Sequence, residues 1–334
     1  MESGYVRAMT RLALLPLVAL LAGCNQGPLP AAAAPGLAKR ADACTPRAAS
    51  GAPLELVVLG SGGPRGAGRA GSSYVVVIDG TPRMLVDTGS GSFVRLGELQ
   101  LDQDALDTIL LTHLHIDHAG DFPDVVKSRD VGSDGPLTFR IFGPAGRGPY
   151  PSTSAFVDRM LGEQGAFGYL RGFRNELRTN VTDLPIEASS PIKQLFAEGG
   201  TKVSAIAVDH GDTPAVAYRV EHARRSVVIT GDLASQNDNL VRLAAQADLL
   251  VYDTTVLDPP GSPPVLYELH TTPKRIGEVA ASAQVRRLVL SHLPPNLERT
   301  GPEELASVRA SYKGPVELAH DCLRLDVSAG AAVK

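Results

Sequence analysis

The stretch Leu111-Thr112-His113-Leu114-His115-Ile116-Asp117-His118-Ala119-Gly120 sets three histidines and an aspartate within six positions, directly after an apolar run. The whole chain has eight histidines, so this density is not scatter. If the preceding strand continues, His113 and His115 point the same way, because side chains alternate along a strand. Asp117 and His118 follow as the chain turns, and four ligand-type side chains converge on one small volume. Imidazole and carboxylate are donors that zinc, iron and manganese share, so the segment reads as a metal site.

The elements that must position such a site can be placed along the chain. Strands are expected at 54–59, 108–111, 139–142, 203–208, 249–252, 287–290 and 323–327, from short apolar, β-branched runs. Hairpins are expected from 73–78 with 83–86 around Asp79-Gly80, and from 215–220 with 226–230. Helices are expected at 152–161, 237–247 and 302–311, and at 273–283 with Thr272 as cap and Pro273 as first residue. Another begins within 120–127, with Pro123 in its first turn. The stretch 162–201 shows no usable pattern. Gly60-Ser61-Gly62-Gly63-Pro64 lacks the Lys-Ser or Lys-Thr of a phosphate loop and reads as a tight turn lining a pocket. Hairpins followed by mixed strands and helices occur twice, which predicts an α/β fold of two packed sheets with helices outside. Asp87, His113, His210, Asp232 and His292 each follow an apolar strand. A shared sheet edge brings such residues together on rigid supports.

The N-terminus reads as a leader. Arg7 and Arg11 precede an apolar run at 12–21 that is short for a membrane span, and small residues follow. Leu21-Ala22-Gly23-Cys24 resembles a bacterial lipoprotein box, which implies cleavage before Cys24 and a lipid on that cysteine. Asn25 after it leans toward the outer membrane by the same resemblance. Loss of residues 1–23 removes Glu2, Arg7 and Arg11 and moves the net charge from −4 to −5. Residues 24–53, rich in Ala, Pro and Gly, read as a flexible tether, and 54–330 as one catalytic domain. Cys44 and Cys322 remain. An oxidising compartment allows a bridge between them, with two free thiols as the alternative.

The segment His113-Leu-His115-Ile-Asp117-His118 resembles the signature of the metallo-β-lactamase superfamily. The match continues in order through Asp87 in Leu85-Val86-Asp87-Thr88-Gly89, His210, Asp232 in Thr230-Gly231-Asp232, and His292. Leu59-Gly60-Ser61-Gly62-Gly63-Pro64, Ala217-Tyr218-Arg219-Val220, Ala247-Asp248-Leu249-Leu250 and His270-Thr271-Thr272 resemble the branch of ribonuclease Z and related phosphodiesterases and arylsulfatases. The resemblance implies an αβ/βα four-layer sandwich holding two divalent metal ions, zinc by default, with iron or manganese as alternatives. His113, His115 and His210 would hold one ion, and Asp117, His118 and His292 the other. Asp232 would bridge them, which true metallo-β-lactamases do not have. A hydroxide shared by the ions would be the nucleophile. Asp117 would also serve catalysis, Asp87 would fix a ligand imidazole, and His270 would give a proton to the leaving group. His222 reads as a solvated turn residue, and His320 has no matching role.

The expected function is therefore an exported, lipid-anchored, periplasmic hydrolase of a phosphodiester or sulfate ester, acting on a small molecule. The alternatives are tRNA 3′-end processing of the ribonuclease Z kind, a lactonase, or a binding module on a degenerate site. Nucleic acid is not expected as a partner, because the chain is mildly acidic, reads as exported, and lacks an obvious Gly-Pro-Lys-rich arm of the kind this family uses to hold tRNA. The oligomeric state stays open, a dimer included.

Overall fold

The computed structural model describes residues 44–46 and 50–328, apart from the side chains of Leu297 and Glu298. The leader, Cys24 and most of the tether lie outside the described residues. No described helix is long and apolar enough to cross a membrane.

Strand β1 (Leu54–Gly60) is apolar along its length except at Glu55, because both of its faces are covered. Leu54, Leu56 and Val58 pack into the core between two sheets, while Val57 and Leu59 join the core under the helices. The first sheet continues with β2 (Ser73–Ile78), β3 (Thr81–Val86), β4 (Thr108–Leu110), β5 (Leu137–Pro144) and β6 (Leu177–Leu184). The second holds β7 (Lys193–Glu198), β8 (Thr201–Val208), β9 (Ala215–His222), β10 (Arg225–Ile229), β11 (Leu249–Asp253), β12 (Leu288–Ser291) and β13 (Val316–Leu318). The last strand, β14 (Arg324–Asp326), returns to pair with β1. Among the described residues the sheets therefore have seven strands each, ordered β14-β1-β2-β3-β4-β5-β6 and β13-β12-β11-β10-β9-β8-β7.

Each sheet joins an antiparallel part to a parallel part. β3 through β6 run parallel, as do β10 through β13. Helices cover the outer faces, as parallel strands require. Leu96 of α1 (Ser92–Glu98), Phe122 and Val125 of α3 (Phe122–Gly132) and Val157 of α4 (Thr153–Leu161) pack on the first sheet. Between α1 and α3 lies the four-residue α2 (Ile116–Ala119). Leu240 of α5 (Asn239–Leu243), Ile276 of α6 (Pro273–Ser282) and Val308 of α7 (Leu297–Ser311) pack on the second. The result is the αβ/βα sandwich. Burying each large aliphatic side chain contributes about 1.5–3 kcal/mol, so three contiguous apolar clusters fix the spacing of the sheets and of what stands on their edges.

Several elements depart from the sequence expectation for identifiable reasons. β6 and β7 fill the unpatterned stretch, and β13 also went unread. β6 and β7 are the outer strands of their sheets and β13 is another, all partly solvated, so none carries an apolar run. Helix α7 begins at Leu297 rather than at Pro302, which lies inside it. Its first turn is held by the Asn296 carbonyl, which accepts from the amides of Arg299 and Thr300 at 2.9 and 3.2 Å. Helix α5 is five residues long, shorter than expected.

Cys44 and Cys322 form a disulfide across 278 residues, with Cα atoms 5.2 Å apart. Beside it, buried Asp321 accepts from the Ser61 amide at 3.1 Å, the Ser61 hydroxyl at 2.9 Å and the Ala70 amide at 2.9 Å. One carboxylate thus closes the glycine-rich loop between β1 and β2.

Candidate metal centre

The strand ends deliver the chemistry. Asp87 follows β3, His210 follows β8, Asp232 follows β10 and His292 follows β12. β4 ends at Leu110, so His113 and His115 stand beyond the strand rather than on it. His115 caps the N-terminus of α2, and Asp117 and His118 lie within that short helix. His113 Nε2 and His115 Nδ1 nevertheless come to 3.1 Å from each other.

The predicted ligands fall into two groups, and Asp232 also comes within ligand distance of Asp253 and His270. His113, His115, His210 and Asp232 each present a donor atom within 4.8 Å of the others, as do Asp117, His118 and His292. Asp232 stands between the groups. Its Oδ2 is 3.9 Å from Nε2 of both His113 and His210 and 3.3 Å from His292 Nε2. Its Oδ1 is 3.4 Å from His118 Nε2. Asp117 Oδ2 is 3.1 Å from His292 Nε2 and 3.8 Å from His118 Nε2.

The far ring nitrogens are held from behind, which fixes each imidazole's orientation. His118 Nδ1 lies 2.8 Å from Asp87 Oδ2, His210 Nδ1 donates to the Leu269 carbonyl at 2.7 Å, and His292 Nδ1 meets the Thr255 hydroxyl at 2.6 Å. Thr112 and Thr213 hydroxyls stand 3.2 and 3.3 Å from the rings of His113 and His115. Asp87 is fully buried and also accepts the Thr112 amide and hydroxyl, both at 2.7 Å. It adopts φ 58°, as His292 adopts φ 54°, a strained backbone for non-glycine residues. Asp87→Asn is expected to weaken metal affinity by about 10- to 100-fold, read by competition with a chelator. An unchanged affinity would remove Asp87 from the site's support.

The donors fit a pair of divalent ions. His118 Nε2, His210 Nε2 and Asp232 Oδ1 are buried without a hydrogen-bond partner among the described residues. Buried polar atoms left unpaired are costly and rare, and these three aim into one volume. Burial, with the neighbouring His118, drives His113 well below the ordinary imidazole value, and burial takes His210 down to about 4, so both are neutral donors. Burial opposes charge on His118 too, yet Asp232 and Asp87 outweigh it and raise that ring above the ordinary imidazole value, so the negative groups around it favour positive charge at this point. Burial likewise opposes charge on Asp232, and His292 and His118 keep it ionised. The pocket is thus built to compensate positive charge at its centre.

Space for the ligands is made by glycine. A Cβ on Gly63 would stand 2.5 Å from His292 Cε1, and one on Gly231, which has φ 59°, would stand 2.5 Å from Thr112 Cβ. Gly63, Pro64 and Arg65 line a cleft of about 690 Å³ that opens onto His115, Asp117, His210, Asp232 and His292.

His270 lines the same cleft, immediately before Thr271 and the helix cap Thr272, whose hydroxyl accepts the Arg275 amide at 3.3 Å. Its Nδ1 is 2.8 Å from Asp253 Oδ2. Asp253, pushed up to about 6 by burial, was not singled out from the sequence. It ends β11 as Asp87 and Asp232 end their strands, so the rule that found those residues would have found it. Thr255 and the Leu269 carbonyl carried no such signal. His222 corrects an expectation: it is buried, with Nδ1 2.9 Å from the Thr201 hydroxyl and Nε2 3.1 Å from Asp79 Oδ2, because the hairpin turn folds against β8. His320 is exposed, and its Nδ1 lies 3.0 Å from the Asp321 carbonyl.

A family model described as beta-lactamase superfamily domain matches residues 82–293. The chain belongs to the metallo-β-lactamase superfamily. Within that superfamily it is 31% identical over 291 residues to a ribonuclease Z of Mycobacterium sp. (strain KMS), covering 84% of this chain and 99% of the relative. A ribonuclease Z of Mycobacterium bovis is 30% identical over 286 residues, covering 82% and 98%. In fold, the short form of human tRNase Z superposes with a TM-score of 0.64 at 23% identity, over 82% of this chain and 100% of that one. The superfamily protein YhfI from Bacillus subtilis gives 0.62 at 22%, over 82% and 99%. These findings place the chain in the ribonuclease Z branch and make it a metallohydrolase. They also correct the expectation that nucleic acid is not a partner. Net charge averages over the whole surface, whereas a scissile phosphodiester is met locally, by ligand cations and cleft residues. The expected lipid on Cys24 lies outside the described residues, finds no support in the relatives, and is set aside with the charge argument.

Proposed function

We propose that the chain is a dinuclear-metal phosphodiesterase of the ribonuclease Z type, hydrolysing an RNA phosphodiester at the cleft. The observation that carries this reading is the Asp232 carboxylate, 3.3–3.9 Å from imidazoles of both ligand groups. His113, His115 and His210 would hold one ion, Asp117, His118 and His292 the other, with Asp232 within reach of both groups. Zinc suits these nitrogen and oxygen donors. When bound, such a pair supplies Lewis acidity and a water that loses its proton near neutral pH.

The chain's own residues do the rest. Asp117 and Asp232 keep their carboxylates toward the cleft, and the buried ring supports keep the imidazoles from turning. His270 carries the proton for the leaving oxygen. Burial opposes its charge, but the Asp253 hydrogen bond and the Asp232 charge raise it above the ordinary imidazole value. With Nδ1 tied to Asp253, Nε2 is the atom that donates.

The relatives' name supports RNA as the substrate class. The Cys44–Cys322 disulfide favours an oxidising compartment, so we place the protein outside the cytoplasm, on an RNA encountered there. The test is a panel with the zinc-loaded protein: a short RNA with a 3′ extension, bis(4-nitrophenyl) phosphate, an aryl sulfate and a lactone. Chelator-sensitive cleavage of the RNA and the phosphodiester is the expected result. Preferential turnover of the sulfate or the lactone, with the RNA intact, would replace this reading by the sulfatase or lactonase one.

A further inference from the structure

We propose that Asp321 is a positioning residue for one ion of the pair: by tying both ends of the glycine-rich loop between β1 and β2, it sets the spacing of the ligands Asp117 and His292. The inference rests on the ligand assignment above, in which those two residues and His118 serve the same ion.

Asp321 is buried, and its hydrogen bonds reach two separate points of that loop. Oδ1 accepts from the Ser61 amide and hydroxyl, and Oδ2 accepts from the Ala70 amide. Arg95 Nε donates to Oδ2 at 3.2 Å and supplies the counter-charge that a buried carboxylate needs. Four of the eight residues between Ser61 and Ala70 are glycine. Such a segment loses much conformational entropy when ordered, so its shape depends on how its ends are held. The Cys44–Cys322 disulfide fixes the backbone from which Asp321 reaches the loop, as does the Cys322 amide, which donates to the Val58 carbonyl at 2.7 Å.

Each end of the loop bears on a different ligand. At the first end the Ser61 carbonyl accepts the Leu293 amide at 2.8 Å, one residue after His292, and Gly63 lies against the His292 ring. His292 keeps a backbone at φ 54° that its surroundings must hold. At the second end Gly71 packs on Asp117, where a Cβ would stand 2.5 Å from the Asp117 carbonyl oxygen. The two ligands supported in this way meet at 3.1 Å, Asp117 Oδ2 to His292 Nε2.

The other ligands are carried by different supports. His118 is held by Asp87 and by the Thr88 amide, which donates to the His118 carbonyl at 2.7 Å. His210 is held by the Leu269 carbonyl, and His113 and His115 have Thr112 and Thr213 beside them. None of these supports belongs to the loop, so Asp321 acts on one side of the pair. Metal sites tolerate ligand displacements of only about 0.2 Å. A loop freed from Asp321 would let Asp117 and His292 drift apart by at least that much, while the three histidines of the other ion keep their places.

The experiment measures zinc affinity of the full chain by competition with a chelator. Asp321→Asn keeps the shape of the side chain but sets an amide NH2 against one of the loop's donors. It is expected to hold one equivalent as wild type does and to bind the other about 10- to 100-fold more weakly. His292→Ala leaves the ion on His113, His115 and His210, and adding Asp321→Asn to it should not change that ion's affinity. Excess zinc should restore hydrolysis of bis(4-nitrophenyl) phosphate by Asp321→Asn, which a folding defect would prevent. If Asp321→Asn does not fold, Ser61→Ala, which loses the hydroxyl contact alone, should weaken the same ion. Equal weakening of both ions, or unchanged affinity for both, would overturn the proposal. A wild type that binds a single zinc would sink the dinuclear reading; the role of Asp321 then stands if the variant weakens that zinc and falls if it does not. Two bound zinc ions without RNA cleavage would sink the RNA reading and leave the test of Asp321 intact.

Discussion

Asp232→Ala is expected to reduce phosphodiester hydrolysis by more than about a thousandfold, beyond what losing one stabilising donor costs an enzyme. It should also lower bound metal from two equivalents to one or fewer. Two dications a few ångströms apart repel strongly in a buried site, and Asp232 is the carboxylate that stands within reach of both ligand groups. Its removal leaves His113, His118, His210 and His292 facing one another with no shared negative charge. Metal analysis after gel filtration, paired with turnover on RNA, reads both effects. Retention of two equivalents would show that the remaining ligands hold the pair without a bridge.

His270→Ala separates proton transfer from metal binding. His270 and Asp253 come within ligand distance of Asp232, but His270 Nδ1 is taken by Asp253 and all seven ligands of the pair remain when His270 is lost, so bound metal should stay at the wild-type level. Turnover on RNA should fall by about a hundred- to ten-thousandfold, the usual contribution of a positioned general acid. Bis(4-nitrophenyl) phosphate, whose leaving group departs well without a proton, should lose much less. Equal loss on both substrates, or loss of metal, would give His270 a structural role instead.

Much of the site is written locally in the sequence. The ligand types cluster at 113–118, and Asp87, His210, Asp232 and His292 are marked by the apolar strands before them. Those strands are buried on both faces, so their composition is unambiguous, and their order implied the sandwich. What escaped the sequence was set by tertiary contact. β7 alternates no apolar face because it is an edge strand. His222 sits in a charged segment yet is buried by its neighbour across the sheet. Glu304 looks like an ordinary helix-surface glutamate, and only the fold buries it. The expectation that nucleic acid is not a partner failed where whole-chain charge was used to judge a local encounter.

The bridged pair is tested most directly by titrating zinc into the metal-free protein while following hydrolysis of the RNA. Activity is expected to rise mainly with the second equivalent and to saturate at two. Full activity at one equivalent would contradict it.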